Sequence, residues 1–344
     1  MSLTPTALIA ALADGRFHTG ERLGERFGVS KVAIWKALKK LDEFGVDVHS
    51  VRGKGYRLSE PLTLLNAAHI ESNIAPARRT ELSGIEVLQR VDSTNAHALR
   101  ALHDGTPTHQ HGTPTQHGTP THGQARCRAT FAESQTAGKG RRGRSWVSPY
   151  GHNIYLSLVR AYNNGAGALD GLSLVVGVAL VGALADLGYR GLQLKWPNDV
   201  LLGERKLAGI LLEISGDLSG LCHVVIGVGL NLKSAPEAMA EVDQPWAALD
   251  QLGYQHSQRN VVAGAVLNNL LTALQMFEQA GFAPFMERWK EYDLTCGREL
   301  ALHTPLETVH GIGQGVNESG ALLLATEQGL RTFHGGEVSL RWLD

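Results

Sequence analysis

Residues 138–144 read Gly-Lys-Gly-Arg-Arg-Gly-Arg and combine four cations with three glycines. Arginine forks match the oxygens of a phosphate or a carboxylate, and glycine lets the backbone approach a ligand closely. Successive backbone N–H groups can also form an anion-binding nest. Because the run lies between two apolar stretches, it is predicted to be a loop between strands. It is a candidate clamp for a polyphosphate; a solvated basic loop is the alternative that this run alone leaves open.

A second polar group stands at the end of a predicted strand, where residues 195–199 read Lys-Trp-Pro-Asn-Asp. Lys206 begins the next predicted strand, and a third strand, 224–232, is interrupted by Gly227 and Gly229. Glycine weakens a central strand, and a flat ligand packed against the backbone would be a reason for its presence.

Residues 93–95 read Ser-Thr-Asn and begin a predicted helix that runs to about Leu102. Ser93 or Thr94 is a candidate N-cap, which leaves backbone N–H groups available to an anion or an amide-like ligand. Such caps are common, so this tripeptide indicates a binding site only in combination with the basic motifs at 138–144 and 195–206.

The first sixty residues have the order of a winged helix–turn–helix. A predicted helix over 20–27 is followed by a tight turn, and Ser30 caps a further helix over 31–44. Some apolar residues of that helix are three or six positions apart, as is typical of a helix. These apolar residues are Val32, Ile34, Trp35, Leu38 and Leu41. Residues 46–58 then alternate as a β-hairpin with a basic tip at 52–55.

Residues 31–58 carry seven Lys and Arg residues against three acids, a net charge of +4, on a chain whose formal net charge is −1. A locally basic face is what contact with DNA phosphates requires. A small three-helix module that binds a protein is the alternative. The residues predicted to contact DNA are Ser30, Lys31, Lys36, Lys39, Lys40, Arg52 and Lys54.

Length and composition permit two or three domains, since 43% of the 344 residues are hydrophobic. Three widely spaced cysteines without a Cys-x-x-Cys pair argue against a disulfide framework or a zinc ribbon. The N-terminus lacks a positively charged signal region, and no run of about 18 apolar residues occurs. These features predict a cytoplasmic protein without a membrane segment.

Residues 105–124 form a tandem repeat of Gly-Thr-Pro-Thr units with histidines in or beside it. The repeat has no apolar residue that could anchor a core, which predicts a disordered insertion in a surface loop. Weak metal binding by the histidines is the alternative.

Two apolar stretches, 172–187 and 261–281, are predicted to be core helices. Residues 297–344 contain short alternating runs separated by glycines. They predict five short strands in a small barrel.

Together these motifs resemble the biotin–protein ligases, and the N-terminal winged helix resembles the bifunctional bacterial type that also represses the biotin operon. The resemblance covers essentially the whole chain except the repeat. It implies an α+β fold in three domains: a winged helix-turn-helix over 1–62, a class II synthetase-like mixed β-sheet with helices over 63–293, and an SH3-like β-barrel over 294–344.

The resemblance also implies which residues hold the ligands. Ser93, Thr94 and Asn95 match the family's Ser-Thr-Asn, which lies at the ring end of biotin. Lys206 matches a lysine near the biotin carboxylate and the α-phosphate, and Trp246 falls in a loop that closes over the nucleotide. The residues that match the family's biotin- and adenylate-binding positions are Ser93, Thr94, Asn95, Gln135, Lys139, Gly140, Arg141, Lys206, Gly227, Gly229, Asn231 and Trp246. Position 139 departs from the family's usual arginine, so the charge is kept but the planar fork is lost, which predicts altered retention of the intermediate.

The implied reaction uses biotin and ATP with Mg²⁺, makes biotinyl-5′-AMP, and transfers biotin to a lysine of a biotin carboxyl carrier protein. Such chemistry needs positioning and dispersed positive charge, which Arg141, Lys206 and Lys139 would supply. Asp199 is the candidate that orients or deprotonates the acceptor lysine. A purely structural role, bracing the turn at Asn198, is the alternative for Asp199.

The resemblance further implies a homodimer that binds two-fold operator DNA of biotin-synthesis genes when the adenylate is bound. Three other interpretations are open: a lipoate–protein ligase on the related fold, a DNA-binding regulator whose ligase-like domain only senses a ligand, and a biotin ligase without an operator. The nearly complete set of charged site residues argues against the pure regulator.

Overall fold

The computed structural model describes residues 2–104, 127–163, 165–217, 220–336 and 338–342. The predicted repeat over 105–124 lies outside these residues. The chain begins with helices α1 (Pro5–Leu12), α2 (Gly20–Phe27) and α3 (Lys31–Leu38), and the hairpin of β1 (Val48–Val51) and β2 (Gly55–Leu58) follows. The predicted helix–turn–helix and wing are therefore present.

The helix predicted over 31–44 changes character at Lys39, because Lys39–Phe44 is a 3-10 segment. Ile34 and Leu38 are buried in the core of the winged helix, whereas Val32 and Trp35 are exposed. With 3.6 residues per turn, residue 32 points about 200° away from residue 34. Val32 and Trp35 therefore lie on the outer face of α3, away from the core that Ile34 and Leu38 join.

The central sheet is mixed, as predicted. Seven of the described strands form it in the order β3-β4-β5-β9-β8-β7-β6, with only β3 and β4 parallel. Their bounds are β3 (Leu82–Leu88), β4 (Cys127–Ala132), β5 (Ile154–Tyr162), β6 (Leu192–Lys195), β7 (Asp199–Leu202), β8 (Arg205–Gly216) and β9 (Cys222–Leu230).

Helices pack beside this sheet, and two of them, which are apolar as predicted, form the hydrophobic core with it. α7 and α8 pack against each other within one hydrophobic cluster. The bounds are α4 (Ala67–Ser72), α5 (Pro76–Arg79), α6 (Thr94–His103), α7 (Leu172–Asp186), α8 (Arg259–Ala280) and α9 (Met286–Tyr292). In the described part of the chain, one helical stretch, 256–280, is long and apolar enough to cross a bilayer, but its apolar window is 61% buried inside the fold.

The C-terminal part is an antiparallel sheet in the order β13-β12-β11-β10-β14, which agrees with the predicted five strands. Trp196 donates its indole N–H to the carbonyl of Gly320 at 3.1 Å, which ties this sheet to the central part. The bounds are β10 (Glu299–His303), β11 (Thr308–Val316), β12 (Leu322–Thr326), β13 (Gly329–Phe333) and β14 (Ser339–Trp342).

The winged helix docks on the loop that precedes β5. Tyr150 belongs to the winged-helix core and meets Phe44 edge-on, with ring centroids 5.7 Å apart. Glu60 forms ion pairs with His152, at 3.0 Å, and with Lys233.

The segment after the wing is held by a fully buried ion pair between Glu133 and Arg259. Glu133 accepts a hydrogen bond from the N–H of Leu65 at 2.5 Å, and Arg259 donates to the carbonyl of Thr63 at 3.1 Å. Two buried charges, at the end of β4 and the start of α8, therefore hold residues 63–65 in place.

Candidate active site

A pocket of about 470 Å³, including its open side, lies where the start of α6, the loop between β4 and β5, and strands β8 and β9 meet. Most of the residues predicted to bind the ligands line it. They are Ser93, Thr94, Asn95, Gln135, Lys139, Gly140, Arg141, Lys206, Gly227 and Gly229.

The start of α6 is held in place before any ligand arrives. Ser93 caps the helix by accepting from the N–H of Ala96 at 3.4 Å. The backbone N–H of Thr94 donates to Gln135 Oε1 at 2.9 Å, so Gln135 spans from α6 to the loop. Since the Ser93 and Thr94 side chains are buried and already partnered, this end of the pocket is preorganised.

Asn95 forms the polar end of the pocket. Its Nδ2 donates to Glu213 Oε2 at 2.7 Å, and its Oδ1 accepts from the hydroxyl of Ser157 at 2.5 Å. A Cβ atom at Gly227 would lie 2.5 Å from Asn95 Oδ1, so only glycine fits at that position. Neither Ser157 nor Glu213 was singled out from the sequence, because their positions on buried strands carry no motif.

The basic run forms a tight loop, as predicted. The N–H of Gly140 donates to the carbonyl of Arg144 at 2.6 Å, and Arg142 adopts a left-handed conformation with φ 57°. Lys139 is half exposed, and its ammonium lies 3.9 Å from Glu213. The loop therefore presents its cations from a defined backbone.

Arg141 links three parts of the chain. Its Nη1 donates to Asn198 Oδ1 at 3.0 Å, and its Nη2 donates to the carbonyls of Gly335, at 2.7 Å, and Gly336. Desolvation by burial lowers the pKa of its guanidinium from the ordinary value, with nearby Asp199 opposing that shift. Arg141 is thus a partly buried cation at the junction with the C-terminal sheet.

Lys206 makes an ion pair with Asp199, with Nζ and Oδ1 2.8 Å apart and both side chains largely buried. Arg141 and Lys206 are consequently tied to two adjacent residues, Asn198 and Asp199, and both line the same pocket. Nearby Lys195 has its pKa lowered to about 8, first by burial, and its ammonium lies 4.4 Å from the ring centroid of Trp342. The pocket therefore collects positive charge, as the two sequence motifs predicted.

Trp146 is a pocket residue that the sequence reasoning missed. A Cβ atom at Gly229 would lie 2.4 Å from its indole, and one at Gly209 would lie 2.9 Å away. The Lys206 ammonium is 5.5 Å from the ring centroid. The bare backbone of β8 and β9 therefore does contact a flat ring, and that ring is a side chain of the chain itself. A large aromatic residue two positions after a glycine-rich loop was the available signal.

Asn231 and Trp246 do not line the pocket. Asn231 is buried, donates to the carbonyl of Ala247 at 3.1 Å, and accepts from Asn153 at 3.4 Å. Trp246 is partly exposed and pairs through its backbone with Lys206. Both residues belong to the segment that supports Lys206 from behind, and contact with a nucleotide stays a prediction for them.

The residues predicted to contact DNA are all exposed on the winged helix. Ser30 caps α3 by accepting from the N–H of Ala33 at 3.3 Å. Lys31 pairs with Glu21 at 2.7 Å, and Lys39 lies over the ring of Trp35. The remaining cations lie on α3, on the turn after it, and at the wing tip; they are Lys36, Lys40, Arg52 and Lys54.

A protein-built metal site is absent from the described ranges, which contain no group of three His, Cys, Asp or Glu side chains able to hold a metal ion. The carboxylates beside the pocket, Asp199 and Glu213, each already face a lysine. These residues do not fit a dedicated cage for Mg²⁺, an ion that is commonly held through nucleotide phosphates.

Three family descriptions match the sequence in the order of the fold. Residues 6–57 match an HTH domain, residues 114–231 match the biotin/lipoate A/B protein ligase family, and residues 295–341 match the biotin protein ligase C-terminal domain. The matches cover the winged helix, the central sheet from β4 to β9, and the C-terminal sheet in turn.

Curated relatives and solved structures agree with these matches. The bifunctional ligase/repressor BirA of Salmonella typhimurium is 39% identical over 98% of this chain and 97% of its own length. The biotin–[acetyl-CoA-carboxylase] ligase of Paracoccus denitrificans is 36% identical over 73% of this chain and 98% of its own length. A biotin protein ligase from Aquifex aeolicus, solved with biotin and ATP, superposes with a TM-score of 0.59 at 27% identity, covering 76% of this chain and 100% of that one. The chain therefore belongs to the biotin protein ligase family, with a helix–turn–helix domain at its N-terminus.

Proposed function

We propose that this chain is an ATP-dependent biotin–protein ligase and a DNA-binding repressor, with the pocket beneath Lys206 and Arg141 as its active site. The observation that carries the proposal is the convergence of both cations on one pocket through the adjacent residues Asn198 and Asp199. A relative named as a biotin–[acetyl-CoA-carboxylase] ligase is 36% identical over 73% of this chain, which favours biotin over lipoate.

In the first step a carboxylate oxygen of biotin attacks the α-phosphorus of ATP. An oxygen–phosphorus bond forms, the bond to the bridging oxygen of pyrophosphate breaks, and pyrophosphate leaves with its electron pair. Arg141 and Lys206 stabilise the charge that spreads over the phosphoryl oxygens, and Asp199 positions Lys206 through their 2.8 Å ion pair. Polar groups at Asn95 and Gln135 orient the ring end of biotin.

In the second step the amine of a carrier lysine attacks the acyl carbon of the adenylate. An amide bond forms, the acyl–oxygen bond breaks, AMP leaves, and the amine nitrogen loses a proton. An unperturbed lysine has a pKa of about 10.4, so a nearby base assists. Asp199 is our candidate for that base, with its contact to Lys206 as the competing structural role. The basic loop and Trp146 shield the anhydride from water.

Mg²⁺ bound with the phosphates of ATP would supply further charge neutralisation. We propose three domains, over residues 1–62, 63–293 and 294–344. A cytoplasmic location is likewise proposed, in line with two buried free cysteines, Cys127 and Cys222.

The adenylate-bound form is proposed to act as a homodimer on a two-fold operator. The pairing of β8 with β7 ends at Gly209, so among the described strands residues 211–216 pair with β9 alone. An unpaired strand edge is a template for pairing with another chain. Ile214 on this edge is 42% exposed, which makes the edge our candidate dimer contact.

Incubation with ATP, labelled biotin and a carrier domain tests the enzyme. Wild type should label the carrier, Lys206→Gln should lose most of the transfer, and Lys290→Gln, at an exposed ion pair, should match wild type. Titration calorimetry with biotin and with lipoate separates the two ligands. A protein that transfers no label but binds biotin would be a sensor, and the ligase proposal would be wrong.

Sedimentation with and without biotin plus ATP tests the dimer. Ligands should shift wild type toward a dimer, whereas Ile214→Lys should remain monomeric. Leu306→Lys, at a fully exposed position of the C-terminal sheet, is the matched control. A dimer that forms equally well in Ile214→Lys would exclude this edge.

A further inference from the structure

The outer face of α3 carries an apolar pair that the fold does not use. Val32 is 61% exposed and Trp35 is 46% exposed, whereas Ile34 on the inner face is fully buried. The two residues are three apart, so they are neighbours on the helix surface. Scattered single apolar residues on a surface need no explanation, but an adjacent valine and tryptophan on a recognition helix do.

The pair is held in position by its surroundings. The ammonium of Lys39 lies 3.9 Å from the centroid of the Trp35 ring, a cation–π contact that covers part of the indole. Lys31, at the start of the helix, is fixed by its 2.7 Å ion pair with Glu21 of α2. A Cβ atom at Gly24 would lie 2.7 Å from the carbonyl of Val29, so α2 meets the turn before α3 closely.

Charge around the pair identifies its occupant as duplex DNA. Exposed cations follow on the same helix and turn, at Lys36, Lys39 and Lys40, and others occupy the wing tip. This surround suits a polyanion, while Val32 and Trp35 themselves have no charge with which to bind phosphate. They are therefore placed to contact base edges rather than the backbone of the nucleic acid.

The chemistry of the major groove then selects the base. The 5-methyl group of thymine is the apolar group that base pairs present there, and apolar side chains read it. The α3 sequence Lys-Val-Ala-Ile-Trp-Lys-Ala-Leu contains no Asn or Gln, so it lacks the usual bidentate readers of adenine, and its readers of guanine are limited to Lys31 and Lys36. We propose that Val32 and Trp35 determine specificity by contacting thymine methyl groups in each half-site. This assignment rests on the proposed DNA-binding role of the winged helix.

The test replaces thymine by uracil, which removes the methyl group and nothing else. Full-length protein with biotin and ATP selects its preferred duplexes from a random-sequence pool. Each dT of the selected half-site is then changed to dU in turn, and dissociation constants are measured by fluorescence anisotropy at one salt concentration.

For wild type we expect one or two positions at which dU weakens binding about fourfold, the value of one buried methyl group. Trp35→Ala should weaken binding to the parent duplex and lose the dT/dU difference at one of these positions. Val32→Ala should do the same at a neighbouring position. Leu330→Ala, an exposed leucine of the C-terminal sheet, should match wild type throughout. Lys54→Gln should weaken the dT and dU duplexes equally, as loss of a phosphate contact predicts.

The assignment is overturned if Trp35→Ala keeps the full dT/dU difference, or if wild type binds both duplexes equally. An unchanged DNA affinity with a loss of carrier labelling would assign the pair to a protein partner and overturn it as well. Failure of wild type to bind any duplex is a different result, because it removes the proposed repressor role together with this assignment.

Discussion

The winged helix and the C-terminal sheet both dock beside the basic loop, but they do so with different chemistry. On the N-terminal side Glu60 contacts His152 and Lys233, and the buried pair of Glu133 and Arg259 holds the segment that follows the wing. On the C-terminal side Arg141 and Trp196 donate to main-chain carbonyls, and Arg298 forms a largely exposed ion pair with Glu204. Carbonyls do not titrate, so acid should affect the contacts of Glu60 and leave those of Arg141 and Trp196 unchanged.

The two flanking regions also contact the loop between β4 and β5 at different places. Glu133 lies two residues before Gln135, and Tyr150 follows Trp146 by four residues in the same loop. Arg141 is itself a pocket residue and a contact of the C-terminal sheet. The winged helix and the segment that follows it therefore support the loop from its two ends, while the C-terminal region holds its central cation directly.

The largest effect is expected at the buried ion pair. Arg259→Met leaves the Glu133 carboxylate buried without its partner, and both side chains are inaccessible to solvent. Loss of one member of such a pair costs about 3–5 kcal/mol of unfolding free energy. Urea denaturation measures it, with Lys290→Met at the exposed Glu287 pair as a control that should change stability by less than about 0.5 kcal/mol. A loss below about 1 kcal/mol in Arg259→Met would contradict the role of this pair in fixing the segment that follows the wing.

Arg141→Gln tests the C-terminal side. We expect transfer of biotin to fall about a hundredfold, because a preorganised donor to the developing charge is lost. Hydrogen exchange over residues 338–342 should become faster in the same variant, because Arg141 also donates to the carbonyl of Val338 at 3.3 Å. Arg142→Gln, an exposed neighbour in the loop, is the control for general loop damage. Slower transfer with unchanged exchange would separate the two roles of Arg141.

Acid should weaken the N-terminal interface specifically. Hydrogen bonding to His152 lowers the pKa of Glu60 from 4.5 to about 2, against the opposing effect of burial. Because the folded pKa lies below the unfolded one, the stabilisation is complete above about pH 4.5 and is lost as pH falls toward 2. Glu60 is partly exposed, so we expect at most about 1 kcal/mol after solvent screening.

Unfolding free energies of wild type and Glu60→Gln at pH 7, 5, 4 and 3 measure this contribution. The difference between the two proteins should shrink as pH falls below about 4.5. Glu287→Gln, at an exposed pair, should show little difference from wild type at any of these values. A Glu60→Gln difference that is independent of pH would show that its carboxylate charge is not what holds the winged helix.

The smallest effect is expected within the loop itself. Lys139→Arg restores a planar fork at a half-exposed position whose ammonium now lies 3.9 Å from Glu213. We expect release of biotinyl-5′-AMP to slow by about two- to fivefold, with the overall transfer rate little changed. Rapid dilution of preformed, labelled adenylate measures release, and an unchanged rate would show that the fork does not matter here.

Local sequence patterns were enough to predict much of the fold. The caps at Thr19, Ser30 and Ser93 were readable because a cap involves residues only three positions apart. Exposure of Val32 and Trp35 was not readable, because apolar spacing alone does not say which side of a short helix meets the core. Trp146 was missed for a related reason, since its place against Gly229 depends on a strand that follows more than seventy residues later.

By itself, the sequence determined the identity and order of the motifs: the winged helix, the Ser-Thr-Asn cap, the basic loop, and the glycine-interrupted strand. Only the tertiary structure decided their convergence. Asn95 meets Glu213 across 118 residues, Glu133 meets Arg259 across 126, and Arg141 meets Gly335 across 194. Helix and strand patterns reflect interactions between near neighbours, whereas these contacts exist only because the packed sheet and helices bring distant segments within hydrogen-bonding distance.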